Sequence, residues 1–343
     1  MIIKDLHGFG SFLAIPGIVR TMEGADSPIS REQMERLWIS VRGDTSDPNE
    51  GIFGQSSLSW KVNREAALFL GAGRAALLQL AHPWVAASLD QHSNLRNDPL
   101  ARFHNTFRVV FTMIFGTLEQ ALAASRHLYL LHTRIEGTLP ATVGAYAEGS
   151  QYRANELNAL IWVYATLVES ALVAYNSVLP PLSKNEREIY YAESRRMASL
   201  FGIPPAALPP DWAGFETYNR AIWTSDKLGV NALSREMANR LLHGKGSWVP
   251  IPHWYRALTA AWLPERFRVE FALNYGQREQ EAAVQASDLL PRVYRRLPEL
   301  LRFVGPYFDA RARLLSGHSG PLIRLSNRFW MGQARMMFSE LER

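Results

Sequence analysis

The chain has 343 residues and a formal net charge of +5, with 47% hydrophobic and 20% charged residues. This length exceeds the size at which one hydrophobic core usually stops growing, and the ordinary composition excludes a disordered chain. Cysteine is absent, which excludes disulfides, thiolate nucleophiles, iron–sulfur clusters and cysteine-bound zinc or haem. The first residues show no secretory signal, so we expect a reduced, cytoplasmic setting.

Positive charge is concentrated in residues 292–343, which contain ten arginines, no lysine and four acids. The arginines are interspersed with apolar residues at helical spacing, which is typical of the solvated side of a helix, and we expect no nucleic-acid partner. The longest apolar stretch covers residues 157–179 and is interrupted by Glu169. We therefore expect a buried helix rather than a transmembrane segment. Glu169 is the one acid that we expect to be buried, and neutralisation by an arginine from a neighbouring helix is an equal alternative to a role in paired-carboxylate chemistry, which the sequence supports poorly.

Helix signals dominate the chain. Capping boxes begin at Ser30 and Ser183, and Asp98 followed by Pro99 marks a third helix start. The predicted helices cover residues 30–39, 60–80, 99–115, 118–136, 155–178, 183–200, 211–225, 231–243 and 262–287, with further helix in the tail. Strand patterns are nearly absent, so the predicted fold class is all-α.

The stretch from Gly71 through Gly73 to Ala76 matches a dinucleotide-binding fingerprint, and Asp90 stands where a ribose-binding acid belongs. That fingerprint requires a preceding strand and a surrounding βαβ unit, but the preceding residues favour helix. We prefer the interpretation that small residues let two helices, or a helix and a flat ligand, approach closely. An NAD-dependent oxidoreductase is the disfavoured alternative.

Nine histidines are present, and their spacing supports no multi-histidine metal cage. The spacing does not exclude a haem that is held by one axial imidazole. His132 is the best candidate, because it ends an otherwise apolar stripe on the helix predicted from Leu118. A core histidine with satisfied hydrogen bonds is the commoner identity of such a residue.

The helix predicted over residues 99–115 has two contrasting faces. Its apolar face contains Phe103, Phe107, Val110, Phe111 and Ile114. Its mixed face contains Arg102, Asn105, Thr106, Val109 and Met113. A haem pocket needs this mixture of hydrogen-bond donors, a cation near a propionate and apolar walls. A solvent-exposed helix face that includes two apolar residues is the alternative interpretation, because it would have the same composition.

An ordered series of motifs gives the chain a family resemblance. The motifs include SLSWKVNRE (57–65), LGAGRAALLQLAHP (70–83), DPLARFHNT (98–106), HTRIEG (132–137) and LIWVYATL (160–167). Over roughly residues 45–305 the chain resembles the family of the rubber oxygenase (latex-clearing protein) catalytic domain and the oxygenase of mycophenolic acid biosynthesis. The order of the motifs is specific, although no single motif would be.

The resemblance implies a multi-helix bundle with a globin-like core around haem b, which rubber oxygenase uses to activate dioxygen and cleave a carbon–carbon double bond. His132 matches the proximal iron ligand, and Arg102 and Thr106 match the arginine and threonine of the family's haem pocket. The mixed helix face adds Asn105, Val109 and Met113 to the expected cofactor-binding set. The expected domains are a helical extension (1–44), the catalytic domain (45–305) and a basic helical tail packed on the same core (306–343).

Two positions depart from the family pattern. Asn105 occupies the place of a lysine that can cap the iron, and Tyr164 replaces the histidine of Trp-Val-His-Ala-Thr. A phenol donates a hydrogen bond but does not titrate near pH 7, so we expect Tyr164 to be a neutral, uncoordinated donor in the pocket.

The leading hypothesis is a haem b-dependent oxygenase that combines dioxygen with a small apolar, unsaturated or isoprenoid-like substrate. Its expected catalytic residues are Arg102, Thr106 and Tyr164. The alternative is a non-catalytic helical relative that binds haem, an apolar ligand or nothing. The sequence leaves open whether the protein forms a homodimer.

Overall fold

The computed structural model describes residues 27–93, 99–244, 251–315 and 317–336. Within these ranges lie 16 α-helices, 3-10 helices at Ala66–Gly71 and Pro205–Ala207, and one small antiparallel sheet. The helices are α1 (Arg31–Gly43), α2 (Leu58–Asn63), α3 (Ala72–Leu80), α4 (Pro83–His92), α5 (Pro99–Phe115), α6 (Leu118–His132), α7 (Leu157–Val178), α8 (Lys184–Leu200), α9 (Trp212–Thr224), α10 (Ala232–Leu242), α11 (His253–Trp262), α12 (Glu265–Glu270), α13 (Gln277–Tyr294), α14 (Glu299–Arg302), α15 (Gly305–Leu314) and α16 (Pro321–Met331). The sheet pairs β1 (Glu136–Thr138) with β2 (Gln151–Arg153). The all-α prediction is confirmed.

Helix α7 lies at the centre of the larger of two main hydrophobic clusters. It packs against α2, α3, α8, α13 and the first 3-10 helix, and more than half of its residues are buried. By length and composition it could cross a bilayer, but 61% of its most apolar window is buried inside the protein. This burial is what the interrupted apolar stretch predicted.

The second cluster joins α5 and α6. Phe111 and Phe115 of α5 are buried with Leu118 and Leu122 of α6, and Trp38 and Phe201 contact both clusters. The Trp38 indole donates to Ser125 Oγ at 2.8 Å. The two clusters therefore form one continuous helical body.

The glycines of the fingerprint serve close helix packing. A Cβ on Gly71 would lie 2.5 Å from the Ser170 carbonyl oxygen, and one on Gly73 would lie 2.7 Å from Thr259 Oγ1. Gly71 ends a 3-10 helix, and no strand precedes it in the described chain, where the strands lie at 136–138 and 151–153. The dinucleotide-binding interpretation thus lacks its structural context.

Glu169 is neutralised by Arg74 of the neighbouring helix α3, whose Nη2 lies 2.9 Å from Glu169 Oε2. The buried guanidinium also donates to Ser170 Oγ and to the Trp262 carbonyl, both at 2.9 Å. Burial raises the pKa of Glu169, and the charge of Arg74 opposes that shift. This network ties α3 to α7 and α11.

Several predicted helix boundaries are wrong. The single helix expected over 60–80 is divided into α2, a 3-10 helix and α3, because the 3-10 segment ends where Gly71 meets α7. The helix expected over 262–287 breaks at Pro264, which keeps Leu263 extended at ψ 146°. It breaks again near Ala272, whose φ is +52°.

Two helix ends also differ from expectation. Helix α6 ends at His132 rather than at 136, because the next residues enter β1, where Gly137 lies against the Tyr152 ring of β2. Helix α1 continues to Gly43, beyond the expected end at 39. The capping boxes at Ser30 and Ser183 are confirmed, whereas the predicted cap at Asp98 lies outside the described residues.

Candidate active site

The candidate site is carried by the α5–α6 hairpin. Helix α5 ends at Phe115, and Thr117 caps α6 by accepting from the Gln120 backbone N–H at 3.2 Å. The Gln120 side chain accepts from the Thr117 N–H at 3.0 Å, completing a capping box. So short a connection makes the helices antiparallel neighbours, which brings the start of α5 to the end of α6.

Arg102 and His132 meet at this end of the hairpin. The pKa of His132 is lowered to about 4, mainly by burial and in part by the nearby positive charge of Arg102, while a hydrogen bond to the Asn155 side chain opposes the shift. The imidazole is therefore neutral at pH 7 and has a lone pair available to a metal. The structure thus places these two candidate residues near each other.

Both side chains are desolvated yet accessible. His132 is partly exposed and Arg102 is largely exposed, whereas burial is the largest cause of the lowered pKa of each. Both groups therefore keep surface that a ligand can reach, although neighbouring protein atoms reduce their hydration.

Thr106 and Asn105 lie next to Arg102 on α5. The Thr106 hydroxyl donates to the Arg102 carbonyl at 3.0 Å. Asn105 Oδ1 accepts from Arg108 Nη2 at 2.8 Å, and Arg108 Nη1 donates to Gln333 Oε1 at 3.3 Å. Thr106 thus stays close to Arg102, while the Asn105 amide is engaged toward the chain that follows α16.

The remaining residues of the mixed face run into the protein interior. Val109 and Met113 are buried in the cluster that joins α5 to α6. The opposite face is an aromatic row, in which Phe103 and Phe107 lie with ring centroids 5.2 and 4.5 Å from Phe69. The structure therefore brings Arg102, Thr106 and His132 together at one end and continues their face as core.

Tyr164 lies at the interface between α7 and α8. Its hydroxyl donates to the Ser194 carbonyl, and its ring lies 5.6 Å from Phe201. The side chain is fully buried, and burial raises the pKa of the phenol well above its ordinary value. The phenol is therefore neutral and already has an acceptor on α8.

Asn155 is the residue that sequence reasoning missed. It is buried just before α7, and its backbone oxygen accepts from the Ile29 N–H at 2.9 Å. Its side chain hydrogen-bonds the His132 imidazole. Its position in the chain gives no signal of this contact, because the β1–β2 hairpin brings it back to the end of α6.

His82 is a second buried histidine, but its surroundings differ. Its ring is packed between Trp84 and Tyr146, with centroids 6.0 and 5.5 Å away, and burial lowers its pKa to about 3. The ring is almost inaccessible, so it leaves no space for a ligand. His132, by contrast, keeps accessible surface.

Comparison with known proteins agrees with the motif order. The family model described as "ER-bound oxygenase mpaB/B'/Rubber oxygenase, catalytic domain" matches residues 60–303. Uncharacterized proteins of Mycobacterium bovis and Mycobacterium tuberculosis are each 22% identical over 216 residues, which is 60% of this chain and 80% of each relative. No solved structure matches the chain. The protein belongs to the mpaB/rubber oxygenase catalytic domain family.

Proposed function

We propose that the protein is a haem b-dependent oxygenase that acts on a small apolar, unsaturated substrate with dioxygen. Membership of an oxygenase family supports the reaction class. The observation that carries the cofactor assignment is the neutral, accessible imidazole of His132 beside the desolvated Arg102.

The residues at this end of the α5–α6 hairpin fit haem b. An axial ligand must be a neutral imidazole, which His132 is at pH 7. A propionate needs a cation, and the Arg102 guanidinium stays protonated even though burial lowers its pKa. Among the described residues no three His, Asp or Glu side chains come together as a metal cage would require, whereas haem needs only one such ligand from the protein.

Each residue has a separate task. His132 would hold the iron, and the Asn155 side chain fixes the orientation of the imidazole ring. Arg102 would bind a carboxylate of the cofactor, and the Thr106 hydroxyl keeps a lone pair available while donating to the Arg102 carbonyl. Haem, when bound, supplies the dioxygen chemistry, while the protein supplies orientation and excludes water.

The test is haem binding by matched histidine variants. We expect the purified protein, supplemented with haem, to show a stoichiometric Soret band that is lost in His132→Ala while the helical circular dichroism signal is retained. His243→Ala, at an exposed histidine that caps α10, should bind haem like the wild type. A normal Soret band in His132→Ala would assign the iron to another residue.

A non-catalytic haem or ligand carrier is the second candidate. It is favoured by the engagement of Asn105 with Arg108 and of Tyr164 with Ser194, because both residues depart from the family pattern. Dioxygen consumption in the presence of unsaturated isoprenoids separates the two functions. Stoichiometric haem binding with no consumption above that of free haem would establish the carrier.

A further inference from the structure

Helix α16 presents its apolar side to solvent. Leu322, Leu325 and Phe329 are spaced to lie on one face and are 64%, 63% and 63% exposed. We call these three residues the exposed stripe. On the inner side, Asn327 and Met331 are completely buried. A surface helix ordinarily turns its large apolar residues toward the core, so three such residues on the outer face of α16 are unusual.

The helix is fixed in this orientation by contacts on its inner side. The Trp330 ring stacks on Phe69 at 4.0 Å between centroids. The Asn327 amide donates to the Ala334 carbonyl at 3.0 Å, and the His104 ring of α5 contacts the Phe329 carbonyl at 3.1 Å. Because these contacts seat the inner face on the protein, the exposed stripe is held outward.

The surroundings of the exposed stripe are strongly basic. Residues 305–336 contain five arginines and a single acid, Asp309. The side chains of Arg324 and Arg328, on α16 itself, are exposed. Asp309 already lies among positive charges, since Arg313, Arg335 and Arg324 each oppose the burial that raises its pKa. The surface around the exposed stripe therefore has an excess of positive charge.

We propose that α16 is an interfacial helix that docks the protein on an anionic lipid surface, independently of whether haem is bound. The exposed stripe would enter the boundary between headgroups and acyl chains, and the flanking arginines would pair with lipid phosphates and carboxylates. A second copy of the chain fits less well, because pairing two such faces would oppose their excess positive charges. A nucleic acid would use the arginines but leave the exposed stripe uncovered.

The experiment measures flotation of the full chain with phosphatidylcholine vesicles, prepared with and without phosphatidylserine. We expect binding that requires phosphatidylserine and weakens at high salt. Leu325→Ser and Phe329→Ser should each reduce binding about tenfold or more, since each removes apolar area from the bilayer. Leu289→Ser on α13, which removes an equally exposed leucine (59%), should bind like the wild type.

A tryptophan placed in the exposed stripe reports the depth of insertion. In Phe329→Trp, lipids brominated near the top of the acyl chains should quench the added fluorescence, whereas the same lipids should not quench Leu289→Trp. The proposal is overturned if the wild type does not float with anionic vesicles or if the serine variants bind as well as it does. It is also overturned if Phe329→Ser converts a dimer to a monomer without any vesicle binding, which would identify a second copy as the partner.

Discussion

At the end of α6, the Asn155 side chain hydrogen-bonds the imidazole of His132, which we propose as the iron ligand. Its hydrogen bond is the one favourable contribution to the charged form of His132, against burial and Arg102. A partner of this kind fixes the ring orientation of a metal-bound histidine and tunes it as a ligand. In the proposed haem site Asn155 would therefore act through His132, as a positioning residue.

We expect Asn155→Ala to release haem about 10 to 100 times faster than the wild type, because the His132 ring loses its fixed orientation. Transfer of haem to an excess of apomyoglobin measures this rate. Asn176→Ala, which removes an exposed asparagine near the other end of α7, is the matched control. Equal release rates in the two variants would show that Asn155 has no positioning role.

Tyr164 allows a second test at the scale of one side chain. Tyr164→Phe should keep haem and the Soret position, because the phenol is neutral and donates to Ser194. Loss of that hydrogen bond should lower the free energy of unfolding by about 1 kcal/mol. Tyr164→His should change the dioxygen consumption of the haem-bound protein toward that of relatives with histidine at this position. A tyrosinate-iron spectrum in the wild type would contradict this assignment.

At the scale of elements, hydrogen bonds and an ion pair join the segment before the first 3-10 helix to the C-terminal helices. The buried Glu65 carboxylate accepts from Arg302 Nη2 at 3.0 and 3.2 Å and from the Tyr294 hydroxyl at 2.8 Å. The Val304 N–H donates to the Arg64 carbonyl at 2.8 Å. Residues more than two hundred positions apart thus close the family domain near both of its ends.

We expect Arg302→Met to lower the free energy of unfolding by about 3 kcal/mol, because it removes the closer of the two cations beside the buried Glu65 carboxylate and leaves only Arg64, at 3.6 Å. The double variant Glu65→Gln with Arg302→Met should lose less than the sum of the two single losses. Urea unfolding of all four proteins completes the cycle. Strictly additive losses would show that the two side chains do not interact.

Elements defined by local chemistry could be predicted from the sequence, and those defined by distant contacts could not. The capping boxes at Ser30 and Ser183 are local, and both were located correctly. The 3-10 segment ending at Gly71 depends on the approach of α7, which no helical periodicity contains. In the site, helix faces selected Arg102 and His132, but Asn155 approaches through a hairpin that was not predicted.

For the molecule as a whole, acid stability depends on histidines that are buried as neutral groups. The pKa of His82 is about 3 in the folded protein and ordinarily 6.5, mainly because of burial and in part because of the Lys227 charge. As the pH falls, His82 therefore takes up a proton in the unfolded protein before it does so in the folded protein. The contribution of His82 to stability is complete above about pH 6.5 and is lost progressively toward about pH 3.

We expect His82→Asn to make the free energy of unfolding less dependent on pH between about pH 6.5 and about pH 3. One proton taken up on unfolding corresponds to a slope of at most about 1.4 kcal/mol per pH unit. Urea midpoints measured from pH 7 to pH 4 give the slope, with His243→Asn as the control at an exposed histidine. If His82→Asn keeps the wild-type slope, other groups control the acid transition.

The α5–α6 hairpin also has a consequence for the order of assembly during synthesis. Because Arg102 and His132 belong to adjacent antiparallel helices, only a short stretch of chain must close to bring them together, at a small entropic cost. Both residues leave the ribosome long before Arg302, which must return to Glu65 to close the domain. The nascent chain can therefore form the Arg102–His132 pair before its last third has been translated.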